Sequence, residues 1–144
     1  MSDLISTIGT IVISSDGKIL LIHEGEKSEH ITGIFGLVSG RVEEGETEQE
    51  AALRELKEET GLHAKLTDFK KFENNYFTAD IPRKDGTIAK MGWRVYKLEK
   101  FTGDLKEGDE ETVPVWFEQS QIEQMDKEGK LLPNVLNAIH AALK

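Results

Sequence analysis

Three glutamates with helical spacing, Glu55, Glu58 and Glu59, are the residues of this chain best placed to do chemistry. Positions i, i+3 and i+4 lie on one face of an α-helix, so the three carboxylates would project together. Hard cations such as Mg²⁺ bind oxygen ligands, usually a few carboxylates with water and substrate phosphates. The spacing therefore suits a divalent-metal site. The competing interpretation is a solvated acidic face, partly neutralised by Arg54 and Lys57, because exposed like charges at i,i+4 cost only about 0.2–0.5 kcal/mol.

The segment before these glutamates favours a phosphate-binding role. Residues 39–46 read Ser-Gly-Arg-Val-Glu-Glu-Gly-Glu and lead into the helix. Glycine lets the backbone approach a ligand closely, and a helix N-terminus attracts phosphate. Glu48 and Glu50 in the first turn oppose a bare anion. A bound metal ion would remove that conflict, because its charge can be the largest in such a site.

A helix from Thr47 to Thr60 must position the three glutamates, and both of its ends are marked. Thr47, with Glu50 three residues later, forms a capping box. Gly61 predicts a left-handed C-terminal cap, and Leu62 follows it as the usual apolar contact. The apolar face of the helix is supplied by good helix formers, namely Ala51, Ala52, Leu53 and Leu56.

The whole segment from Gly40 to Leu62 resembles the Nudix box. That box reads Gly, five residues, Glu, seven residues, then Arg-Glu-apolar-any-Glu-Glu-any-Gly-apolar. Its defined positions are all filled, by Gly40, Glu46, Arg54, Glu55, Leu56, Glu58, Glu59, Gly61 and Leu62. Chance agreement at the single-residue positions is on the order of 10⁻⁸ per start position. Just before the box the chain departs from many family members, with Val38-Ser39 where they have Pro-Gly.

The resemblance implies that Glu55, Glu58 and Glu59 bind one or more Mg²⁺ or Mn²⁺ ions together with the backbone carbonyl of Ser39. Arg54 would orient the glutamates, and either Glu55 or Glu58 would assist deprotonation of the attacking water. The structural residues of the motif would be Gly40, Glu46 and Gly61.

Residues outside the motif are candidates for a further metal ligand and for substrate binding. Family members often take another acidic ligand from a loop ahead of a Trp-bearing strand, and Glu111, with Glu110 as its neighbour, is the candidate here. A solvated turn is the competing interpretation. In MutT-type relatives an Asn at a place similar to Asn134 reads a purine edge, although Asn is also common near helix caps. Base stacking or core packing would explain the aromatic residues Phe35, Tyr76, Phe77 and Trp93, of which Phe35 is the candidate substrate-binding residue.

The implied reaction is hydrolysis of a phosphoanhydride bond in a nucleoside diphosphate derivative. A nucleoside triphosphate, including an oxidised purine nucleotide, is the first expectation and would give a monophosphate and pyrophosphate. ADP-ribose, another sugar nucleotide or a dinucleoside polyphosphate is the alternative. A non-catalytic nucleotide-sensing module is an alternative of another class. Such modules usually lose glutamates of the box, and this chain keeps them all.

Composition excludes several other classes of function. The 144 residues carry 27 acidic and 18 basic side chains, a net charge of −9, and no cysteine. Such a surface repels duplex nucleic acid and anionic membranes, and an anionic nucleotide would need a bridging cation. The absence of cysteine excludes disulfides, zinc knuckles and thiol nucleophiles. The N-terminus lacks the basic start and apolar run of a signal peptide, so a cytoplasmic location is expected.

The remaining pattern predicts a single domain over residues 1–144, of the α+β class. The resemblance implies the Nudix fold, a mixed β-sheet between helices, and homodimers are common in that family. Strands are predicted at 5–14 and 18–23 as a hairpin, and at 34–38, 66–77, 88–101 and 113–117. Short helices are predicted at 120–125 and 133–143.

Overall fold

A computed structural model describes residues 4–23, 33–108 and 112–144. Strand β1 (Ile5–Val12) is central to a five-stranded mixed sheet. It pairs in parallel with β7 (Ile88–Leu98) and antiparallel with β4 (Val38–Arg41). Two further strands pair antiparallel with β7, namely β5 (Phe69–Lys70) and β6 (Tyr76–Pro82).

A second, antiparallel sheet has the order β3-β2-β8. Its strands are β2 (Ile19–His23), β3 (Phe35–Gly36) and β8 (Val113–Phe117). The predicted hairpin of β1 and β2 is wrong beyond its turn. A single bridge joins Ile13 to Ile19, and the strands then enter different sheets. In these sheets β1 pairs along its length with β7, and β2 pairs along its length with β8.

Helices cover both faces of the mixed sheet. The alternation of β1 divides its buried side chains between two clusters. Ile8 and Val12 pack with Ala52 and Leu56 of α1 (Glu48–Thr60). Ile11 faces the other way and packs with α3 (Val135–Ala142) and α2 (Gln119–Lys127). The expected α+β arrangement is therefore confirmed. Within the described residues, no helix is long and apolar enough to span a membrane.

The predicted strand at 66–77 is wrong. A 3₁₀ turn (Leu66–Asp68) is followed by the two residues of β5, and β6 begins only at Tyr76. Asn74, with a left-handed φ of 60°, lies in the turn between β5 and β6. Strand β6 ends at Pro82, and the proline is tolerated there because β6 pairs with β7 alone.

Both C-terminal helices differ from their predicted bounds. Helix α2 begins before the predicted residue 120 and continues to Lys127. Helix α3 begins at Val135 instead of Pro133. Its N-cap, Asn134, has a φ of 68°, and this left-handed backbone prevents the helix from starting earlier.

Candidate active site

Helix α1 is capped at both ends as its sequence predicts. The Thr47 side chain accepts a hydrogen bond from the Glu50 backbone N–H at 3.1 Å, and the Glu50 carboxylate accepts one from the Thr47 N–H at 2.8 Å. At the other end Gly61 has a φ of 79°, and its N–H donates to the Lys57 carbonyl at 3.0 Å. The helix therefore presents its glutamates from a backbone with both ends defined.

Glu59 is tied to strand β4 through Ser39. The Ser39 backbone N–H donates to Glu59 Oε1 at 2.8 Å. Ser39 itself pairs with Gly9 of β1. The Val38-Ser39 dipeptide, which departs from the family pattern, thus begins a regular strand whose position is set by β1.

Glu55 lies directly against the backbone of Gly40. A Cβ atom added at Gly40 would come within 2.1 Å of the Glu55 carboxylate. Any side chain at this position would therefore displace Glu55. The first glycine of the motif is needed because a carboxylate occupies the space of a side chain.

Arg54 connects the loop to two of the glutamates. Its Nε and Nη2 donate to the two oxygens of Glu46 at 2.8 and 3.0 Å. Nη1 donates to Glu55 Oε1 at 2.6 Å and lies 3.5 Å from Glu58 Oε2. Nη2 also donates to the Arg41 carbonyl at 2.8 Å. Glu55 and Glu58 are therefore drawn toward the same nitrogen atom.

The same contacts shift two pKa values. Hydrogen bonds from Arg54, and then from the Glu43 backbone N–H, lower the pKa of Glu46 to about 2. The bond to Glu46 raises the pKa of Arg54 above its already high value. Both groups are therefore ionised across the physiological range, and the Arg54–Glu46 pair is a permanent part of the site.

The donor set on α1 fits a hard divalent cation in its chemistry. Glu55, Glu58 and Glu59 offer carboxylate oxygens on one helix face, and Ser39 adds a backbone carbonyl nearby. In the described ranges, no three acidic or histidine side chains converge on one point. Arg54 and the Ser39 N–H hold Glu55 and Glu59 instead.

The predicted further ligand, Glu111, lies outside the described residues. The residues on either side of that segment are close to α1. The Gly108 N–H donates to the Thr112 carbonyl at 2.9 Å. A Cβ added at Gly108 would lie 3.0 Å from the Cα and the carbonyl oxygen of Glu59.

An apolar cleft opens on the sheet face that α3 covers. It encloses about 330 Å³, including space open to solvent. Phe77 and Trp93 line it as partners across β6 and β7, and both are half-buried. Ser39 lines the cleft, so a ligand in the cleft would lie beside the residue that binds Glu59. The complete lining is Leu37, Ser39, Phe77, Trp93, Val95, Leu132, Pro133, Asn134, Val135 and Ala138.

Asn134 lines the cleft, but its amide is already engaged. Nδ2 donates to the Thr78 carbonyl at 2.6 Å, and Oδ1 accepts from Asn137 at 3.0 Å. The side chain therefore fastens the start of α3 to strand β6. One N–H and one oxygen lone pair of the amide are used in these two bonds, and a role of Asn134 in reading a base stays a prediction.

The candidate aromatic residues separate into different surroundings. Phe35 packs against His23 and Phe117, with ring centroids 4.8 and 5.3 Å away, and does not line the cleft. Tyr76 lies beneath Arg94, whose Cζ is 4.8 Å from the ring centroid. Alternation along β6 and β7 is the signal that could have selected Phe77 and Trp93, because paired residues on antiparallel strands share a face.

Comparisons with known proteins agree on one family. The NUDIX domain model matches residues 3–136. An ADP-ribose pyrophosphatase of Methanocaldococcus jannaschii is 35% identical over 114 residues, which is 79% of this chain and 62% of that protein. An RNA pyrophosphohydrolase of Sphingopyxis alaskensis is 29% identical over 92 residues, 64% of this chain and 55% of that protein. This chain thus spans about three fifths of the length of these curated relatives.

Solved structures share the fold. The NUDIX domain of Shewanella oneidensis NrtR, solved in complex with ADP ribose, superposes with a TM-score of 0.75 at 17% identity. The match covers 99% of this chain and 88% of that one. At this identity the likeness shows the architecture alone.

Proposed function

This chain belongs to the NUDIX domain family, and from that premise we propose that it is a metal-dependent hydrolase of a phosphoanhydride bond in a nucleoside diphosphate derivative. The observation that carries the proposal is the position of Ser39. This residue lines the aromatic cleft, and its backbone N–H binds Glu59 on α1. A molecule with a base at one end and a diphosphate at the other matches that arrangement.

The residues of α1 would perform the chemistry. Glu55, Glu58, Glu59 and the Ser39 carbonyl would hold Mg²⁺ or Mn²⁺, which when bound polarises a phosphoryl oxygen and lowers the pKa of water. Arg54 orients Glu55 and Glu58 through its contacts at 2.6 and 3.5 Å. One of these two carboxylates accepts the proton of the attacking water. With no bound cation, the negative charges of Glu55, Glu58 and Glu59 would repel the diphosphate.

The cleft would bind the nucleoside. Its lining is apolar apart from Ser39 and Asn134, and it holds two aromatic side chains. An aromatic surface stacks on any base, because every base has a π-face. The cleft would therefore provide affinity for a nucleoside, and measurement would give the order of preference among bases.

Two substrate classes lead. A nucleoside triphosphate, cleaved to monophosphate and pyrophosphate, remains the first candidate. ADP-ribose is the second, and one observation favours it: the relative that is 35% identical over 79% of this chain is an ADP-ribose pyrophosphatase.

A product-release screen in Mg²⁺ separates these classes. The panel contains nucleoside triphosphates, oxidised nucleotides, sugar nucleotides, ADP-ribose and dinucleoside polyphosphates. Pyrophosphate release identifies a triphosphate, whereas AMP with ribose 5-phosphate identifies ADP-ribose. Metal-dependent turnover of at least one panel member is expected. Tight binding without turnover of any member would favour a non-catalytic sensor and overturn the proposal.

A further inference from the structure

The side chain of Ser39 lies on the face of the mixed sheet that carries the apolar cleft. Side chains alternate between the two faces of a strand. Val38, the first residue of β4, is fully buried in the cluster that packs against α1. The next side chain therefore lies on the opposite face, where Ser39 lines the cleft together with Leu37. Ser39 is half-buried, so a ligand in the cleft can contact it.

The backbone of Ser39 is bonded in another direction, along the outer edge of the mixed sheet. The strand order β4-β1-β7-β5 places β4 at that edge. The Ser39 N–H donates to Glu59 at 2.8 Å, and two residues later the Arg41 carbonyl accepts from Arg54 at 2.8 Å. In an antiparallel pair every second residue directs its backbone groups away from the partner strand. Ser39 therefore contacts α1 with its backbone and the cleft with its side chain.

The Ser39 hydroxyl is a polar group available to a ligand in an otherwise apolar cleft. Within the ranges that the structure describes, it makes no hydrogen bond. The other polar residue of the lining, Asn134, already bonds to the Thr78 carbonyl and to Asn137. A hydroxyl can donate one hydrogen bond and accept two. A few polar groups in an apolar pocket typically fix the orientation of the ligand.

We propose that Ser39 is a specificity-determining residue, whose hydroxyl hydrogen-bonds a hydroxyl group of the ribose of the substrate. The inference rests on the proposed function and names the part of the nucleoside that this residue recognises. In a nucleotide the ribose lies between the base and the phosphates. With the base on Phe77 and Trp93 and the diphosphate beside Glu59, the ribose is the group next to Ser39.

Substitution of Ser39 separates its hydroxyl from the backbone contacts with α1. Ser39→Ala removes only Oγ and keeps the N–H that binds Glu59. Ser39→Gly introduces the residue that many family members have at this position, removes the same hydroxyl, and keeps the test valid if Ser39→Ala does not fold. Ser120→Ala is the matched control, because Ser120 is an exposed serine of α2 and does not line the cleft.

Calorimetric titration in Mg²⁺ with nucleoside 5′-monophosphates and inorganic pyrophosphate tests the inference. The tightest of the four common ribonucleotides is compared with its 2′-deoxy and 3′-deoxy forms. We expect the wild type to bind the ribonucleotide about fivefold more tightly than one deoxy form, the effect of one neutral hydrogen bond. Ser39→Ala should weaken the ribonucleotide by about the same factor and bind that deoxy form as the wild type does. Pyrophosphate affinity should be unchanged in every variant.

The other outcomes distinguish the two proposals. An unchanged ratio of ribonucleotide to deoxynucleotide affinity in Ser39→Ala would overturn the role of Ser39 and leave the proposed function intact. A wild type without preference between these forms would do the same. Equal loss of nucleotide and pyrophosphate binding would also overturn it, because the damage would not be specific to the sugar. A wild type that binds pyrophosphate but none of the nucleotides would overturn both proposals.

Discussion

Glu59 accepts a hydrogen bond from the backbone N–H of Ser39 at 2.8 Å, which links the last turn of α1 to strand β4. Ser39 also contributes to the lining of the cleft on the other face of the sheet. Ser39 therefore contacts both the glutamates of α1 and the apolar cleft. Any substrate that uses both must pass Ser39, and the following predictions test each part of that arrangement.

Replacing Glu58 with glutamine should lower kcat by roughly 100-fold or more, as expected for a group in the proton-transfer or metal-binding machinery. The melting temperature should hardly change. The Glu58 side chain is 44% exposed and 3.5 Å from Arg54 Nη1, and such pairs add little stability. Steady-state kinetics on the best substrate and thermal unfolding provide the two measurements.

Glu44→Gln is the matched control for Glu58→Gln. Glu44 is an exposed glutamate of the loop that precedes α1. This variant should keep full activity and show that the loss is not a general effect of removing one negative charge. Wild-type activity in Glu58→Gln would exclude Glu58 from the site.

Glu46 should make the stability of the protein depend on pH in the acidic range. Its pKa falls from 4.5 to about 2 in the folded chain. A carboxyl whose pKa is lowered by folding stabilises the native state above its unfolded pKa, and that contribution is lost as pH falls. The melting temperature of the wild type should therefore decrease between pH 4.5 and about 2. In Glu46→Gln it should start lower and decrease less over the same window.

Thermal unfolding across this range, with Glu73→Gln as an exposed control, checks the prediction. The control should follow the wild-type curve. If Glu46→Gln followed it as well, Arg54 would not be stabilising the charged carboxylate.

Asn134→Ala should destabilise the protein by about 1–2 kcal/mol. The change removes the hydrogen bond to the Thr78 carbonyl and places alanine at a φ of 68°. The ratio of kcat/KM between different bases should stay the same, because the amide already holds β6 and α3 together. Chemical denaturation and a substrate series measure the two effects.

Asn134→Gly separates the causes, since glycine accepts the left-handed backbone but lacks the amide. It should retain part of the lost stability. A changed base preference at unchanged stability would instead return Asn134 to the role of base reader.

The same substitution at two phenylalanines should have different effects. Phe77→Leu should raise KM about tenfold, the order of magnitude expected for a lost base–aromatic stack. Phe35→Leu should leave KM unchanged, because Phe35 packs against His23 and Phe117 outside the cleft. The melting temperature of the Phe35→Leu variant should still fall. A larger KM effect for Phe35→Leu would mean that the base binds elsewhere.

Local signals explain which parts of the fold could be read from the sequence. Helix α1 was predictable because its ends are encoded within a few residues, by Thr47 with Glu50 and by Gly61. The pairing of β1 with β7 was not predictable, because β7 is distant in sequence and parallel strands are not joined by a tight turn that could be recognised in the sequence. The strand predicted at 66–77 failed for a related reason, since the left-handed turn at Asn74 was not recognised.

The site divides in the same way. Spacing along one helix predicted Glu55, Glu58 and Glu59 as metal ligands, and residue type alone predicted the aromatic candidates. Residue type could not show that Phe77 lines the cleft and Phe35 does not, because the cleft is formed by residues that are neighbours on different strands.

The parallel register that joins Ile5 with Met91 and Val12 with Leu98 has a consequence for biosynthesis. Helix α1 leaves the ribosome before β7 has been translated, so during that interval β1 has no parallel partner. Contacts of such long sequence separation form late and slowly. Because Trp93 and Val95 of β7 line the cleft, the nascent chain lacks these two walls of the cleft until β7 has been translated and paired.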